Sequence, residues 1–463
     1  MNKISVLTAC ILIILVSFWS VLPTGCATII PPSGGPRDSI PPMLLLADPP
    51  DSSVNFSGDR ITLTFNEYID LKNISENIFF TPTFEIPPGI RVRGRTIVIP
   101  FTEVTPEPNT TYVINFNNAI VDVNESNVLA GYSYAFSTGP VLDSLEISGR
   151  VILAETGGTD STILVYLHRD LSDSAVALKK APYVTNLDRD GYFNFKFLPS
   201  TTFAIYAIGG SGKDRRYNDQ KTLFAFADDP VIAGVTDSIV LYAYNTPAPP
   251  KNQTPTRIPA TDSLLKYTTN ITGEQDLSKD LIINFPVPVQ TFDSSRISLF
   301  TDSVYNPADF TTTLDTSGTM LTIQTEWLDS TLYSLVLNIG FATDTAGRQL
   351  FQPDTISFFT KRRTDYGNVS IRLRDLDLDR NPVLQFVQNN TVVFSVPMTS
   401  ETYTQDLIIP GEYNLRILYD KNGDGRWTPG NFMGEKRQPE LVQPVERTIV
   451  VKADWNNEFE IDL

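Results

Sequence analysis

Asp420-Lys421-Asn422-Gly423-Asp424-Gly425 sets oxygen-bearing side chains at alternate positions and a glycine at the sixth. That is the spacing of the first half of an EF-hand calcium loop, where hard oxygens meet a hard cation and the glycine permits the sharp bend. Asp420, Asn422 and Asp424 would be the ligands, with Glu435 a remote candidate. Asn431 stands where the closing bidentate acid should be, and the preceding run, Asn414 to Tyr419, reads as a strand. The segment is therefore not an EF-hand. It is either a calcium loop at a strand end, so that the cofactor is one structural calcium ion or none, or an Asx/Gly-rich turn that needs no metal.

The other reactive groups are few. His168 is the single histidine, which removes multi-histidine metal sites and any Ser-His-Asp triad not built on that residue. It follows Leu164-Val165-Tyr166-Leu167 and reads as a sheet-edge or surface histidine. Glu67 with Asp70 is the nearest thing to a glycosidase-type carboxylate pair. Arg91, Arg93 and Arg95 alternate along one expected strand and would share a face, solvated or set against an acidic partner or glycan. Trp427, beside the Asp420 loop, is either a sugar platform or a packing residue. No catalytic residue is assigned, and the chain is read as not being an enzyme.

Cys26 carries a different chemistry. Lys3 precedes an apolar run from Ile4 to Leu22, which ends in Leu22-Pro23-Thr24-Gly25-Cys26. A basic start, an apolar stretch and small residues before a cysteine read as a bacterial lipoprotein signal peptide over residues 1–25, with Cys26 as the lipidated residue. Pro23 departs from the aliphatic residue usual there. An uncleaved transmembrane anchor is the alternative, since the run is about long enough to span a bilayer. The only other cysteine, Cys10, lies inside the signal. A processed, acylated chain would have neither free thiol nor disulfide.

Composition narrows the partners. The 463 residues carry a net charge of -17, and loss of Lys3 with the signal makes this one unit more negative. Nucleic acid and anionic head groups are disfavoured. Hydrophobic content of 41% and aromatic content of 11% suffice for packed cores.

Apart from the signal, no amphipathic helix is legible. Short alternating runs such as Ile61-Thr62-Leu63-Thr64-Phe65, Tyr112-Val113-Ile114-Asn115-Phe116, Ile205-Tyr206-Ala207-Ile208 and Asn414-Leu415-Arg416-Ile417-Leu418 are cut by Pro, Gly, Asn and Asp. Period two puts one face of each in a core and one in water. Many short strands mean tandem β-sandwiches in an all-β chain.

A Pro/Gly-rich tether, 26–42, would hold the first unit off the membrane. A Pro-rich linker, 246–262, divides the mature chain into halves that repeat each other. Leu63-Thr64-Phe65-Asn66, Ile97-Val98-Ile99, Thr111-Tyr112-Val113-Ile114, Asp122 and Phe136-Ser137-Thr138 recur as Ile282-Ile283-Asn284-Phe285, Leu321-Thr322-Ile323, Leu332-Tyr333-Ser334-Leu335, Asp344 and Phe358-Phe359-Thr360. The following units also correspond, Gly191 to Ile205 with Leu407 to Ile417. The order is A-B-linker-A′-B′: 43–140, 145–245, 263–361 and 366–463.

On these residues the A units resemble the SbsA-type bacterial Ig-like domain. The first shows Phe65-Asn66-Glu67-Tyr68-Ile69-Asp70, Tyr112, Asp122-Val123-Asn124 and Phe136-Ser137-Thr138. The second diverges at Pro286-Val287-Pro288. The B units resemble prealbumin-like sandwiches of the carboxypeptidase-regulatory or Cna-B kind, through Pro410-Gly411-Glu412-Tyr413. The stretch from Cys26 to Asp38 resembles the start of Ig-like lipoproteins of the Bacteroidetes. The resemblance implies that Glu67 and Asp70 are structural strand-end residues.

Asp-Ser or Asp-Thr before a small or aliphatic residue recurs, and the triplet resembles a Bacteroidetes O-glycosylation acceptor. The candidates are Ser39, Ser144, Ser161, Ser174, Ser238, Ser263, Ser303, Ser330, Thr345 and Thr355. The alternative is that Asp-Ser and Asp-Thr simply open turns before strands.

Together these observations imply a non-catalytic outer-membrane lipoprotein. Its sandwiches would form a rod on an acyl anchor and contact outer-membrane or cell-envelope proteins, such as the partners of an accessory subunit in an assembly, secretion or uptake complex. No small-molecule substrate is expected. The alternative is a carbohydrate-binding or carbohydrate-processing surface lipoprotein. The leaflet stays open, with a slight lean to the periplasmic side because Ala27 to Gly35 holds no acid.

Overall fold

The computed structural model describes residues 37–210, 216–236, 238–246, 264–302 and 304–463. The expected signal peptide, Cys26, most of the expected tether and linker, Ser263 and Ser303 lie outside the described residues. Within them the chain is all-β. The two α-helical pieces, Ile74–Asn77 and Ala175–Leu178, are single turns. No helix is long and apolar enough to cross a membrane among the described residues.

The alternation seen in sequence sets the sheets. Arg60–Phe65 buries every second side chain, and Ile61, Leu63 and Phe65 are wholly inaccessible. In unit A this strand lies between Leu44–Asp48 and Thr96–Pro100, with Arg91–Arg93 beyond. The facing sheet runs Phe79–Thr81, Thr111–Asn117, Tyr132–Ser137. Tyr112, Ile114, Phe116, Tyr134 and Phe136 fill the space between. Unit A′ repeats the first sheet strand for strand: Thr268–Thr269, Leu281–Asn284, Met320–Gln324, Thr311–Leu314.

Units B and B′ share a second architecture. In B, Leu145–Leu153 lies between antiparallel Tyr192–Leu198 and parallel Ile239–Ala243. In B′, Gly367–Arg374 lies between antiparallel Thr402–Ile408 and parallel Asn456–Asp462. Each packs on a larger sheet, whose central strands are Leu164–His168 with Thr202–Ile208 in B and Pro382–Gln388 with Gly411–Tyr419 in B′. Even the irregularities match. Phe197 (φ 58) and Leu407 (φ 59) both sit in left-handed backbone where the ladder slips a register. A bulge inserts one extra residue and bends its strand, here through left-handed backbone.

The repeated side chains have repeated jobs. The Tyr112 hydroxyl accepts the Glu107 N–H at 2.8 Å, and the Tyr333 hydroxyl accepts the Leu328 N–H at 3.1 Å. Thr138 and Thr360 brace the same corners by accepting the N–H of Thr110 and Thr331. Buried Asp122 and Asp344 each close the turn that follows them by accepting backbone N–H groups. In A′ the carboxylate also holds Arg348, at 2.7 Å.

Two readings of alternation need correction. Thr202–Ile208 is buried along nearly its whole length, not on one face. Thr111–Asn117 is similar. Their outer faces are covered by other units rather than by water. Arg95 leaves the expected common face as well: the strand ends at Arg93, and Gly94 (φ +66) turns the chain so that the Arg95 guanidinium lies 5.2 Å above the Tyr68 ring.

The units do not touch in chain order alone. A meets B through Thr83, whose N–H donates to Pro182 O and whose hydroxyl donates to Ala181 O. A′ meets B′ through Tyr366, whose hydroxyl accepts the Leu277 N–H and donates to Asp276. B meets B′ directly. The segment 427–444 of B′ lies over the outer face of the larger B sheet, where Phe432 packs within 4.9 Å of Phe226 and 5.0 Å of Phe224.

Candidate functional site

The Asp420 loop is built at the end of Gly411–Tyr419. Asp420 is 2% exposed, and its carboxylate accepts N–H groups from Asn422, Gly423 and Gly425 at 2.7–3.1 Å. Glu440, 3% exposed, returns from the far side and accepts from Lys421, Asn422 and Thr428. Gly423 (φ 77) and Gly425 (φ 73) supply the left-handed backbone that turns these amides inward. Asn422 donates to Thr428, and its own oxygen receives the Asp424 N–H.

The acid that completes the loop is thus Glu440. Glu435 is exposed and faces Arg437. The oxygen-rich donor set suits a hard cation, and backbone amides take three of the roughly four acceptor positions on each buried carboxylate. Among the described residues no group of three or more His, Cys, Asp or Glu side chains is arranged to hold a metal.

Trp427 is a packing residue. It is half-buried, donates its indole N–H to Glu440 O at 2.8 Å, and packs against the B–B′ cluster. His168 is not at a surface. It is 2% exposed at the end of an inner strand, edge-on to Tyr206, and its Nε2 has no hydrogen-bond partner. Burial pulls its pKa down to about 4, against a smaller opposing pull from Asp170. It is a neutral imidazole at physiological pH, without a nucleophile to serve.

Glu67 and Asp70 diverge electrically. Burial first, then the charges of Asp122, Asp38 and Glu125, push Glu67 up. The Lys72 ammonium and the Leu71 N–H hold Asp70 down. Split acidities are what an acid–base pair requires. Here, however, Asp70 is committed to Lys72 at 2.7 Å from the middle of the short strand Ile69–Leu71, not from a strand end.

The acceptor candidates within the described residues, Ser39, Ser144, Ser161, Ser174, Ser238, Ser330, Thr345 and Thr355, are all exposed. Several preceding aspartates also close local turns: Asp38 accepts Ile40 N–H, Asp160 accepts Thr162 N–H and Asp344 accepts Ala346 N–H.

A cleft between A and B has no counterpart in the sequence reading. It encloses about 190 Å³ and is lined by Thr81, Asn115, Asn117 and Ser133 of A and by Tyr183, Thr185, Asn194 and Lys196 of B. Outward-facing residues of two sheets meet there because Thr83 and Lys180 lock the units: the Lys180 ammonium donates to Phe84 O at 3.0 Å. Amides and hydroxyls with one cation can recognise neutral polar groups. No carboxylate lines the cleft.

Residues 38–138 match the family model of the bacterial Ig-like domain. That agrees, at this coarser level, with the resemblance of the first A unit. No curated protein matches. Among solved structures, BcpA, the major pilin subunit of Bacillus cereus, is 9% identical over 68% of this chain and 99% of its own, with a TM-score of 0.17. The Bacillus anthracis TIE protein is 10% identical over 93% and 75%, TM-score 0.17. Native alpha-2-macroglobulin from Escherichia coli, spanning domains MG0-NIE-MG1, is 12% identical over 68% and 96%, TM-score 0.17. Likenesses this loose carry no inference about activity or partners.

Proposed function

We propose that this is a non-catalytic, lipid-anchored protein of the outer membrane. Its paired sandwiches would present surfaces to envelope proteins, and it would serve as an accessory subunit of a larger membrane complex. The observation that carries this is Leu22-Pro23-Thr24-Gly25-Cys26 behind an apolar leader. Support comes from the fate of the groups that could have done chemistry. His168 is buried without a partner nucleophile, Asp420 and Glu440 are tied to amides, and Asp122 and Asp344 close turns. Exposed Ser and Thr residues after aspartate would carry O-glycans.

The test is affinity purification of the tagged protein from gently solubilised outer membranes, with mass spectrometry of its companions and of the Cys26 peptide. A stoichiometric membrane partner and an acylated Cys26 are expected. Recovery alone would remove the accessory-subunit role, and an unmodified Cys26 would remove the anchor.

The A–B cleft favours a second reading, glycan binding. Its amide- and hydroxyl-rich lining would suit a neutral sugar. Titration with neutral oligosaccharides, comparing the native chain with Asn115→Ala and Asn194→Ala, decides it. Binding that both substitutions abolish would establish the reading, and no heat or spectral change would end it.

A further inference from the structure

The first described residues, at the junction of tether and unit A, are unusually apolar for a surface. Ile40, Met43, Leu45 and Leu46 are 59, 56, 65 and 61% exposed within a single short segment. Tyr68 (58%) and Val123 (56%) are also exposed: the Val123 N–H donates to Tyr68 O, two residues beyond the Asn66 that pairs with Met43. A soluble surface scatters such side chains singly, and a contiguous set marks a contact.

The backbone beneath them is fixed. The Met43 N–H donates to Asn66 Oδ1 at 2.7 Å, and the Asn66 N–H returns to Met43 O. The Asn127 amide donates to Asp38 O and Ile40 O, and Arg37 donates to Glu125 O. The patch is therefore preorganised. Leu45 sits where the pairing of Leu44–Asp48 with its neighbour slips register. A bulge at an edge discourages a further strand from adding there, which argues against a pairing partner and leaves the side chains as the contact.

Charge around the patch is mixed. Arg37 and Arg95 stand near Asp38, Glu67 and Glu125, so attraction to an anionic surface is not the driving force. Aliphatic side chains with a tyrosine at their margin suit the interfacial zone of a bilayer, where apolar groups enter the acyl boundary and amphipathic rings sit among head groups. The chain from Cys26 to Ile40 can extend no further than roughly 50 Å, so an acyl anchor would keep this patch close to the membrane.

We propose that Ile40, Met43, Leu45 and Leu46 dock unit A onto the phospholipid surface that holds the Cys26 anchor. The proposal rests on the lipoprotein reading and deepens it. It also replaces a tether that holds the first unit off the membrane with one that lets it lie down.

The acylated full-length protein, reconstituted in phosphatidylethanolamine/phosphatidylglycerol vesicles, tests it. Acylation leaves no native free thiol, so spin labels at Leu46→Cys or Met43→Cys report single positions, and Phe351→Cys, 68% exposed in A′, reports water. Labels at 43 and 46 should favour collisions with oxygen over a water-soluble nickel chelate several-fold more than the label at 351. Labels at 43 and 46 as open to the chelate as that at 351 would overturn the proposal. Shielding from both reagents would mean that a second copy of the chain covers the patch, which also overturns it. A protein recovered with unmodified Cys26 would defeat the anchoring reading itself, and the mass of the Cys26 peptide separates that failure from the others.

Discussion

The phenolic oxygen of Tyr244 accepts the backbone N–H of Phe432 at 3.1 Å, across 188 residues of chain. Around this bond B and B′ close tightly. A Cβ at Gly430 would lie 2.5 Å from the Tyr244 ring, and one at Gly157 would lie 2.2 Å from Pro444. The Val442 N–H reaches Ala154 O, and Gln438 reaches Phe226 O. The two halves of the repeat are thus joined by a packed aromatic contact as well as by the linker.

Phe432→Ala should therefore uncouple the halves. Removing a buried Phe costs about 3–5 kcal/mol, here spent at the junction. In calorimetry, B and B′ should melt together in the native chain and apart in the variant, and proteolysis should speed up within 427–444. Tyr244→Phe orphans one buried N–H and should cost about 1–3 kcal/mol. An unchanged melt for Phe432→Ala would mean that the contact does not couple the halves.

The paired tyrosine corners predict additivity. Tyr112→Phe and Tyr333→Phe each remove one acceptor of a backbone N–H, worth about 1 kcal/mol. They lie in separate units, so the double variant should lose the sum. Denaturant melts with unchanged m-values are the measure, and strong non-additivity would show the two A units coupled.

Asp344 and Arg348 form a buried pair, their side chains 2% and 10% exposed. Asp344→Asn strands the guanidinium and should cost about 3 kcal/mol. Adding Arg348→Met removes the stranded charge, so the double variant should be more stable than Asp344→Asn alone. A double variant no better than the single would assign the loss to the turn amides instead.

His168 gives a pH dependence. Its folded pKa, about 4, lies below the ordinary 6.5 because burial disfavours the imidazolium. The unfolded chain binds the extra proton first. Stability from this group is thus fully present above pH 6.5 and is lost as pH falls through 6.5 towards 4, up to roughly 3 kcal/mol. Replacement by Phe should flatten the fall in melting temperature over that window. An identical pH profile would show that the imidazole is already charged or solvated in the native state.

For the Asp420 loop, Asp420→Ala should destabilise B′ by about 2 kcal/mol or more, since several buried amides lose their acceptor. Because those amides already satisfy Asp420 and Glu440, chelators should leave the native melting temperature unchanged. A rise of several degrees in millimolar calcium, absent from Asp420→Ala, would establish the ion as the loop's cofactor.

What was legible came from local rules. Alternation in Ile61 to Phe65 fixed a strand and its inner face, because side chains point to opposite sides at period two. The recurrence of Tyr112, Asp122 and Thr138 as Tyr333, Asp344 and Thr360 marked residues whose partners lie close in the chain or across one turn. The glycines of Asp420 to Gly425 announced a bend for the same reason. Contacts between units left no such trace. Nothing near Phe432 says that its partners are Phe224, Phe226 and Tyr244, and the continuous apolar run Phe203 to Ile208 was the one hint that both faces of that strand are covered. Glu440, and not the nearer Glu435, completes the Asp420 loop because the chain between folds over B before returning. The A–B cleft exists only because the outer faces of two sheets meet. The sequence by itself determined the all-β sandwich class and the repeated strands, since each depends on neighbours along the chain. The tertiary structure decided which outer faces are buried and which carboxylates are already satisfied, since burial depends on what arrives from far away.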